Sequence, residues 1–337
     1  MKTAVIVDSV RTGLAKSHRG GFNITRPDDM LAHIINNMLD RNPNLPPDMV
    51  EDVIMGCGNP EGAMGHNIGR NAAVLSNLPL SVGGTTVNRY CSSGLQTVSM
   101  AASQIMAGCY DTVIAGGVEQ ITMLSGKQNM DGFVNEKLAE SHPGIYHPMG
   151  ITAECVANRY NVSREVQDEI AFESQKRTAA AQEAGKFIDE ICPVHIERKK
   201  NKETVLEDEY IRKNISMDDI ASLNTIFKKE GGTVTAANAS GINDGAAGVL
   251  LMSYAKAKSM RLEPLARIAG WGQAAVDPAI MGTGPIPAIK SALTNLDWNI
   301  YDIDLFELNG AFASQACACA KDLNFPADKL NVNGGAI

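Results

Sequence analysis

The sequence predicts an α/β fold built from two similar halves, and three observations lead there. Short apolar runs alternate with stretches of helical periodicity, as strands and helices do when they follow one another in turn. Gly accounts for 31 of the 337 residues, which suits many tight turns and close backbone contacts. The order of segments in the last third echoes the order in the first.

Taken in order, TAVIVDSV (3–10) predicts a strand, and DDMLAHIINNMLDR (28–41) a helix closed by NPNLPP. VEDVIMGCG (50–58) and DTVIAGG (111–117) are strand-like. Between them, SSGLQTVSMAASQIMAG (92–108) predicts a helix with Leu95, Val98, Ala102, Ile105 and Met106 on one side. From about 118 to 241 the chain is richer in loops, polar residues and charge. That stretch reads as an insertion between two strands of one sheet. It holds one long helix, SREVQDEIAFESQKRTAAAQEAG, opened by Ser163 and closed by Gly185. INDGAAGVLLMS (242–253) then reads as the strand that completes the first half.

The second cycle opens with PLARIAGWG, a strand like TAVIVDSV. DIDLFELNGAFASQ (302–315) parallels EDVIMGCGNPEGA (51–63), and LNVNGGAI (330–337) parallels TTVNRYCS (85–92). The implied organisation is a first half over 1–117 plus 242–260, an inserted domain over 118–241 and a second half over 261–337. Aligning Val87-Asn88 with Val332-Asn333 puts Ala336 opposite Cys91. By that symmetry the second half is expected to be incomplete, by about 40–60 residues.

Composition removes several function classes. A formal net charge of -8 gives no footprint for nucleic acid. No apolar run reaches the roughly 18–20 residues of a membrane span, and the N-terminus enters a strand too soon for a secretory signal. Seven widely spaced cysteines (57, 91, 109, 155, 192, 317, 319) argue against a disulfide framework and for a reducing compartment, the cytoplasm. There is no CxxC and no pair of His at metal spacing, so no metal is expected.

Chemistry concentrates at VNRYCSSGLQ (87–96), where Cys91 lies between a strand and a helix. Such a thiol sits near the positive end of a helix dipole, which lowers its pKa. The small residues Ser92, Ser93 and Gly94 admit a substrate, and adjacent N–H groups can serve an oxyanion. The arrangement is like the nucleophile elbow of α/β hydrolases with Cys in place of Ser. Free Cys is also a common inert core residue, and spacing alone leaves both roles open. His33 and His195 read as structural, His18 and His66 lie in Gly-rich loops, and His142 and His147 lie in the insertion. GCGNPEG (56–62) and GTGPIPA (282–288) imitate dinucleotide fingerprints. The first lacks an acidic residue about 20 positions on, and the second carries two prolines.

With VNRYCSSGLQ, AGGVEQIT, HPMGITAE, DEYIR, TVTAANASGINDGAA, MGTGPIPA, DLFELNGAFASQ and NVNGGAI in family order, the whole chain resembles the thiolases, the acyl-CoA C-acyltransferases. The resemblance implies two duplicated βαβαβ halves in a five-layer αβαβα core, with an inserted loop domain covering coenzyme A. It implies acyl-CoA and CoA as substrates, no tightly bound cofactor, and a homodimer or homotetramer. Cys91 matches the cysteine that is acylated, and Asn309 the Asn that holds a water for the thioester oxygen. Arg212 matches an Arg at the adenine end of CoA. Met149, Phe227, Ala236, Ser240, Ala311 and Phe312 match the lining of the pantetheine tunnel.

CSSGL and PMG are more similar to degradative 3-oxoacyl-CoA thiolases than to the biosynthetic acetoacetyl-CoA type. Two departures stand out. The family's base His and second Cys, which follow NVNGGAI, find no counterpart, and Gly310 stands where the family has Glu. On that reading an impaired thiolase is expected. A non-catalytic CoA-binding remnant and a biosynthetic thiolase are the alternatives, and a decarboxylating ketoacyl synthase is disfavoured by the long insertion.

Overall fold

A computed structural model describes residues 1–199 and 201–337. In chain order the strands are β1 (Ala4–Arg11), β2 (Ala15–Lys16), β3 (Asp52–Gly56), β4 (Thr85–Val87), β5 (Thr112–Glu119), β6 (Val194–Glu197), β7 (Lys202–Val205), β8 (Asn243–Ser253) and β9 (Ala266–Arg267). The helices begin with α1 (Pro27–Arg41), α2 (Ile68–Leu75), α3 (Ser93–Ala107), α4 (Ile121–Leu124) and α5 (Glu136–Ser141). They continue with α6 (Met149–Arg159), α7 (Arg164–Glu183), α8 (Met217–Ala221), α9 (Tyr254–Ser259), α10 (Pro285–Leu296) and α11 (Ala313–Leu323).

The chain forms two compact units. Unit 1 takes residues 1–128, 187–210 and 242–269, and unit 2 takes 129–186, 211–241 and 270–337. These units cut across the three segments read from the sequence. Within 118–241, the stretch 187–210 joins unit 1 because β6 and β7 form a hairpin there and Arg11 bonds to Asp208 and Glu190.

Unit 1 is organised by one mixed sheet of order β4-β3-β5-β8-β1-β9, with β2 paired to β8. β3 runs parallel to both β4 and β5, while β8 runs antiparallel to β5 and β1. All five residues of β3 are buried, as are Thr112–Val113–Ile114–Ala115–Gly116 at the start of β5. Strands covered on both faces read as continuous apolar runs, which is why VIMG and VIAG were legible. Helix α1 opens with Pro27, has Asp28 and Asp29 in its first turn and ends at Arg41, charges that suit its dipole. Its Met30, Leu31, Ile34, Ile35 and Met38 are wholly buried, each contributing about 1.5–3 kcal/mol of burial.

Helix α3 differs from the sequence expectation. Leu95 is 74% exposed, and the buried stripe is instead Ser93, Thr97, Ala101, Ala102 and Ile105. The reason is proximity to the sheet. A Cβ on Gly56 would lie 2.6 Å from the carbonyl carbon of Ser93 and 2.7 Å from the amide of Gly94, so only small residues fit where α3 meets β3. Thr97 donates from Oγ1 to the Gly116 carbonyl at 3.0 Å, tying the helix to β5 as well.

In unit 2, α7 begins at the N-cap Ser163, whose Oγ accepts from the Val166 amide. Gly185 follows the helix with φ of 72°, as its place in the sequence predicted. The second-half strands are reduced. PLARIAGWG supplies only the two-residue β9, which pairs with β1 in the sheet of unit 1. The segments 302–315 and 330–337 meet at one parallel bridge, Phe306 to Leu330, fixed by Phe306 N–H to Lys329 and Asn331 N–H to Phe306 carbonyl. This repeats the parallel neighbours Ile54 and Thr85 of the first half. The duplicated order is thus visible in the pairing, although one bridge makes no strand.

Candidate active site

Cys91 stands on a 3-10 turn, Tyr90–Ser92, that leads directly into α3. Just before it β4 ends at Val87, whose carbonyl accepts from the Cys57 amide at 3.0 Å. The turn therefore lies at the carboxyl ends of the parallel strands β3, β4 and β5, where open α/β sheets place their ligands. Local hydrogen bonds hold it. Tyr90 N–H donates to Asn88 Oδ1 at 2.8 Å, Ser93 Oγ donates to the Tyr90 carbonyl at 2.6 Å, and Arg89 N–H donates to Ser93 Oγ at 2.8 Å. Tyr90 takes φ of 47°, a left-handed conformation uncommon for a bulky residue and typical of sharp functional turns.

Cys91 is exposed, whereas Cys57, Cys192, Cys317 and Cys319 are buried. Its thiol pKa is not lowered as the helix dipole suggested. Burial pushes it up, the hydrogen bond from its own backbone acts downward, and the charge of Glu119 acts upward. Cys91 is exposed as a residue, while neighbouring protein still desolvates its thiol. Desolvation is the largest of these effects and sets the direction.

Glu119, within AGGVEQIT, has no role that the sequence alone assigns. It ends β5, and its carboxylate accepts from Gly58 N–H at 2.8 Å, Asn59 N–H at 3.0 Å and Asn59 Nδ2 at 3.0 Å. The signal that could have found it is position: an acidic residue at the carboxyl end of a buried parallel strand.

The other eight sequence-predicted site residues belong to unit 2. Phe312, 7% exposed, meets Phe227 edge to face with ring centroids 6.3 Å apart. Gly150 allows this, since a Cβ there would collide with the Phe227 ring. Met149, immediately before it, is 54% exposed. Ala239 forms an antiparallel bridge with Phe312, and Ser240 N–H donates to the Ala311 carbonyl at 2.9 Å. Phe227, Met149, Ser240, Ala311 and Phe312 are thereby gathered into one neighbourhood.

Asn309 is exposed, and its segment is held by Gln315. The Gln315 Nε2 donates to the Asn309 carbonyl at 3.2 Å, and its Oε1 accepts from Ala311 N–H at 3.1 Å. Gly310 is buried against the Ile337 side chain. Ala236 is exposed on a loop that Glu154 fixes by accepting from Thr233 N–H, Thr233 Oγ1 and Val234 N–H. Arg212 is exposed, and its backbone N–H donates to Gln175 Oε1 at 2.8 Å. Gln315, Glu154 and Asn238, which bonds Asp168 and Thr233, are supports that sequence reasoning missed; polar side chains that serve backbone loops leave no spacing signal.

The histidines read as structural are both engaged locally. His33 pairs with Asn37, and burial lowers its pKa. His195 lies 2.9 Å from Thr204 Oγ1 across the β6–β7 hairpin. Among the described residues no three His, Cys, Asp or Glu side chains come together as a metal site.

An exposed Cys91 at the strand ends and an apolar aromatic neighbourhood within unit 2 suit thioester chemistry, and the class of the protein follows from comparison with known proteins. The family model "Thiolase, N-terminal domain" matches residues 4–255, and "Thiolase, C-terminal domain" matches residues 262–337. The 3-ketoacyl-CoA thiolase of Bacillus subtilis (strain 168) is 43% identical, covering 100% of this chain and 88% of the relative. The acetyl-CoA acetyltransferase of Chromobacterium violaceum is 43% identical, covering 98% and 87%. The crystal structure of the Bacillus anthracis acetyl-CoA acetyltransferase superposes with TM-score 0.90 at 38% identity, covering 100% of this chain and 87% of that one.

The chain belongs to the thiolase family and has its α/β fold. It is an acyltransferase enzyme. The expectation of an incomplete second half is not borne out: the C-terminal model matches from 262 through Ile337.

Proposed function

We propose that this enzyme exchanges acyl groups between coenzyme A thioesters through an acyl-Cys91 intermediate. In the thiolytic direction the Cys91 thiolate attacks the 3-keto carbon of a 3-oxoacyl-CoA. The carbon–carbon bond breaks, acetyl-CoA leaves as an enolate and takes up a proton that balances the one the Cys91 thiol gave up, and the shortened acyl group stays on sulfur. The thiolate of a second CoA then attacks that thioester, and Cys91 is released. Dividing the cleavage into two steps lowers each barrier. Condensation is the same path in reverse.

The observation that carries this reading is the exposed Cys91 on a strained turn at the ends of β3, β4 and β5. By resemblance, Asn309 holds a water for the thioester oxygen and Arg212 contacts the adenine end of CoA. Met149, Phe227, Ala236, Ser240, Ala311 and Phe312 line the pantetheine slot. The Phe227–Phe312 pair and the Ser240–Ala311 bond support that slot.

Relatives named 3-ketoacyl-CoA thiolase and acetyl-CoA acetyltransferase are equally similar at 43% identity. CSSGL and PMG favour the degradative, chain-shortening direction. CoA enters as a substrate, with no tightly bound cofactor. The seven free thiols suit a reducing cytoplasm, and no described helix is long and apolar enough to cross a membrane. The position of β4 at the sheet edge supports a homodimer or homotetramer.

The test is kinetic and chemical. The chain is assayed for thiolysis of acetoacetyl-CoA and longer 3-oxoacyl-CoA esters, and for condensation of acetyl-CoA, with the Cys91 peptide followed by mass spectrometry. Faster thiolysis of the longer esters supports the degradative assignment. Turnover confined to the acetyl–acetoacetyl pair refutes it, and turnover without acylation of Cys91 refutes the mechanism.

A further inference from the structure

We propose that Glu119 is a positioning residue for Cys91: from the end of β5 its carboxylate clamps the Gly58–Asn59 turn beside Tyr90 and faces the turn that carries the thiol. Three hydrogen bonds of 2.8–3.0 Å join the carboxylate to Gly58 and Asn59. Gly58 sits so close that an added Cβ would lie 3.2 Å from Glu119 Oε2 and 3.6 Å from Tyr90 Cα. The clamped turn, the carboxylate and the residue before the nucleophile thus form one packed unit, with all three segments at the carboxyl ends of neighbouring parallel strands.

A second consequence is electrostatic. The Glu119 carboxylate on β5 acts on the thiol, with Cys57 just after β3 and Arg89 and Tyr90 next to Cys91 in sequence as further titratable groups of these segments. Among them the Glu119 charge opposes thiolate formation at both Cys91 and Cys57, adding to burial. One side chain therefore braces the turn packed beside Tyr90 and adds its charge to the burial that pushes the thiol pKa up. This protects a reachable thiol from indiscriminate reaction.

The meaning of this role rests on the acyl-transfer reading, but its test uses no coenzyme A, so the two can fail separately. Alkylation of the Cys91 peptide by iodoacetamide is measured against pH in the full chain, with exposed Cys109 as internal reference. In Glu119→Gln the alkylation midpoint of Cys91 moves to lower pH, and its rate at pH 7 rises about two- to threefold, with Cys109 unchanged. In Glu119→Asp, which keeps the charge, the midpoint stays high. An unmoved Cys91 midpoint in a folded Glu119→Gln protein overturns the proposal. Should that variant fail to fold by circular dichroism, the unchanged chain decides. Raising salt then speeds Cys91 relative to Cys109 by screening the carboxylate, and a salt-independent ratio overturns the proposal.

Discussion

The thiols of this chain titrate differently because each meets a different environment. Cys91 is an exposed residue, yet burial of its thiol and, after it, the Glu119 charge push the thiol pKa up; its alkylation should rise with pH to a midpoint above the ordinary thiol value. Burial pushes Cys57 up to about 12, and Cys192 and Cys319 up to about 11. In the unfolded chain these thiols ionise near their ordinary value of 9.0. Above that pH the unfolded state loses protons that the native state keeps, so the stability they confer is intact below about pH 9 and is lost as pH rises toward 11–12. The slope is at most about 1.4 kcal/mol per pH unit for each thiol. Tm measured from pH 8 to 12 should fall more steeply in the unchanged chain than in Cys57→Ala, and parallel slopes would contradict this. A strand, a Cys and a helix in succession made Cys91 a candidate, and only the family resemblance favoured a nucleophile over an inert thiol. The direction of its pKa was not legible, because desolvation and the Glu119 charge come from residues brought close only by folding.

Among the elements, the contact of α3 with β3 governs where the Cys91 turn sits. A Cβ at Gly56 would press on Ser93 and Gly94 at 2.6–2.7 Å, and no flexible side-chain end is available there to yield. Gly56→Ala should cost about 1–3 kcal/mol, lowering Tm, and should slow alkylation of Cys91 by displacing the start of α3. An unchanged Tm together with an unchanged alkylation rate would show that the contact does not set the turn. In unit 2, Phe227→Ala removes the ring that packs on Phe312 and should weaken binding of CoA, read as a raised KM, while Cys91 alkylation stays as it was. The first-half strands were legible because residues such as Val53, Ile54, Val113 and Ile114 are buried on both faces and write continuous apolar runs. The helix face was misjudged because Leu95, Val98 and Met106 follow an apolar period, whereas the sheet accepts only the small side chains at Ser93, Thr97 and Ala101. The second-half strands were over-read because periodicity cannot show how many neighbours a strand will find, and Phe306 and Leu330 find one bridge.

At the scale of the whole chain, duplication is the feature that ties sequence to family. The parallel pair Ile54–Thr85 and the parallel bridge Phe306–Leu330 are the same neighbour relation, drawn from segments that the sequence alone had already placed in parallel. The candidate slot was legible only through resemblance, since alanines and phenylalanines in a core carry no spacing that distinguishes them from packing. Its supports, Gln315 and Glu154, emerged only from geometry. If the chain binds coenzyme A in its native state, linkage requires stabilisation, about 2.7 kcal/mol at a hundredfold excess over Kd. Tm should therefore climb with CoA concentration, and a flat response would argue against a native CoA site. The most direct measurement of the central claim is intact and peptide mass spectrometry of the purified chain after exposure to acetyl-CoA or a 3-oxoacyl-CoA. An acyl group on the Cys91 peptide, removed by added CoA and absent from Cys91→Ala, is the predicted result. Acylation confined to other cysteines, or equal labelling in Cys91→Ala, would contradict it.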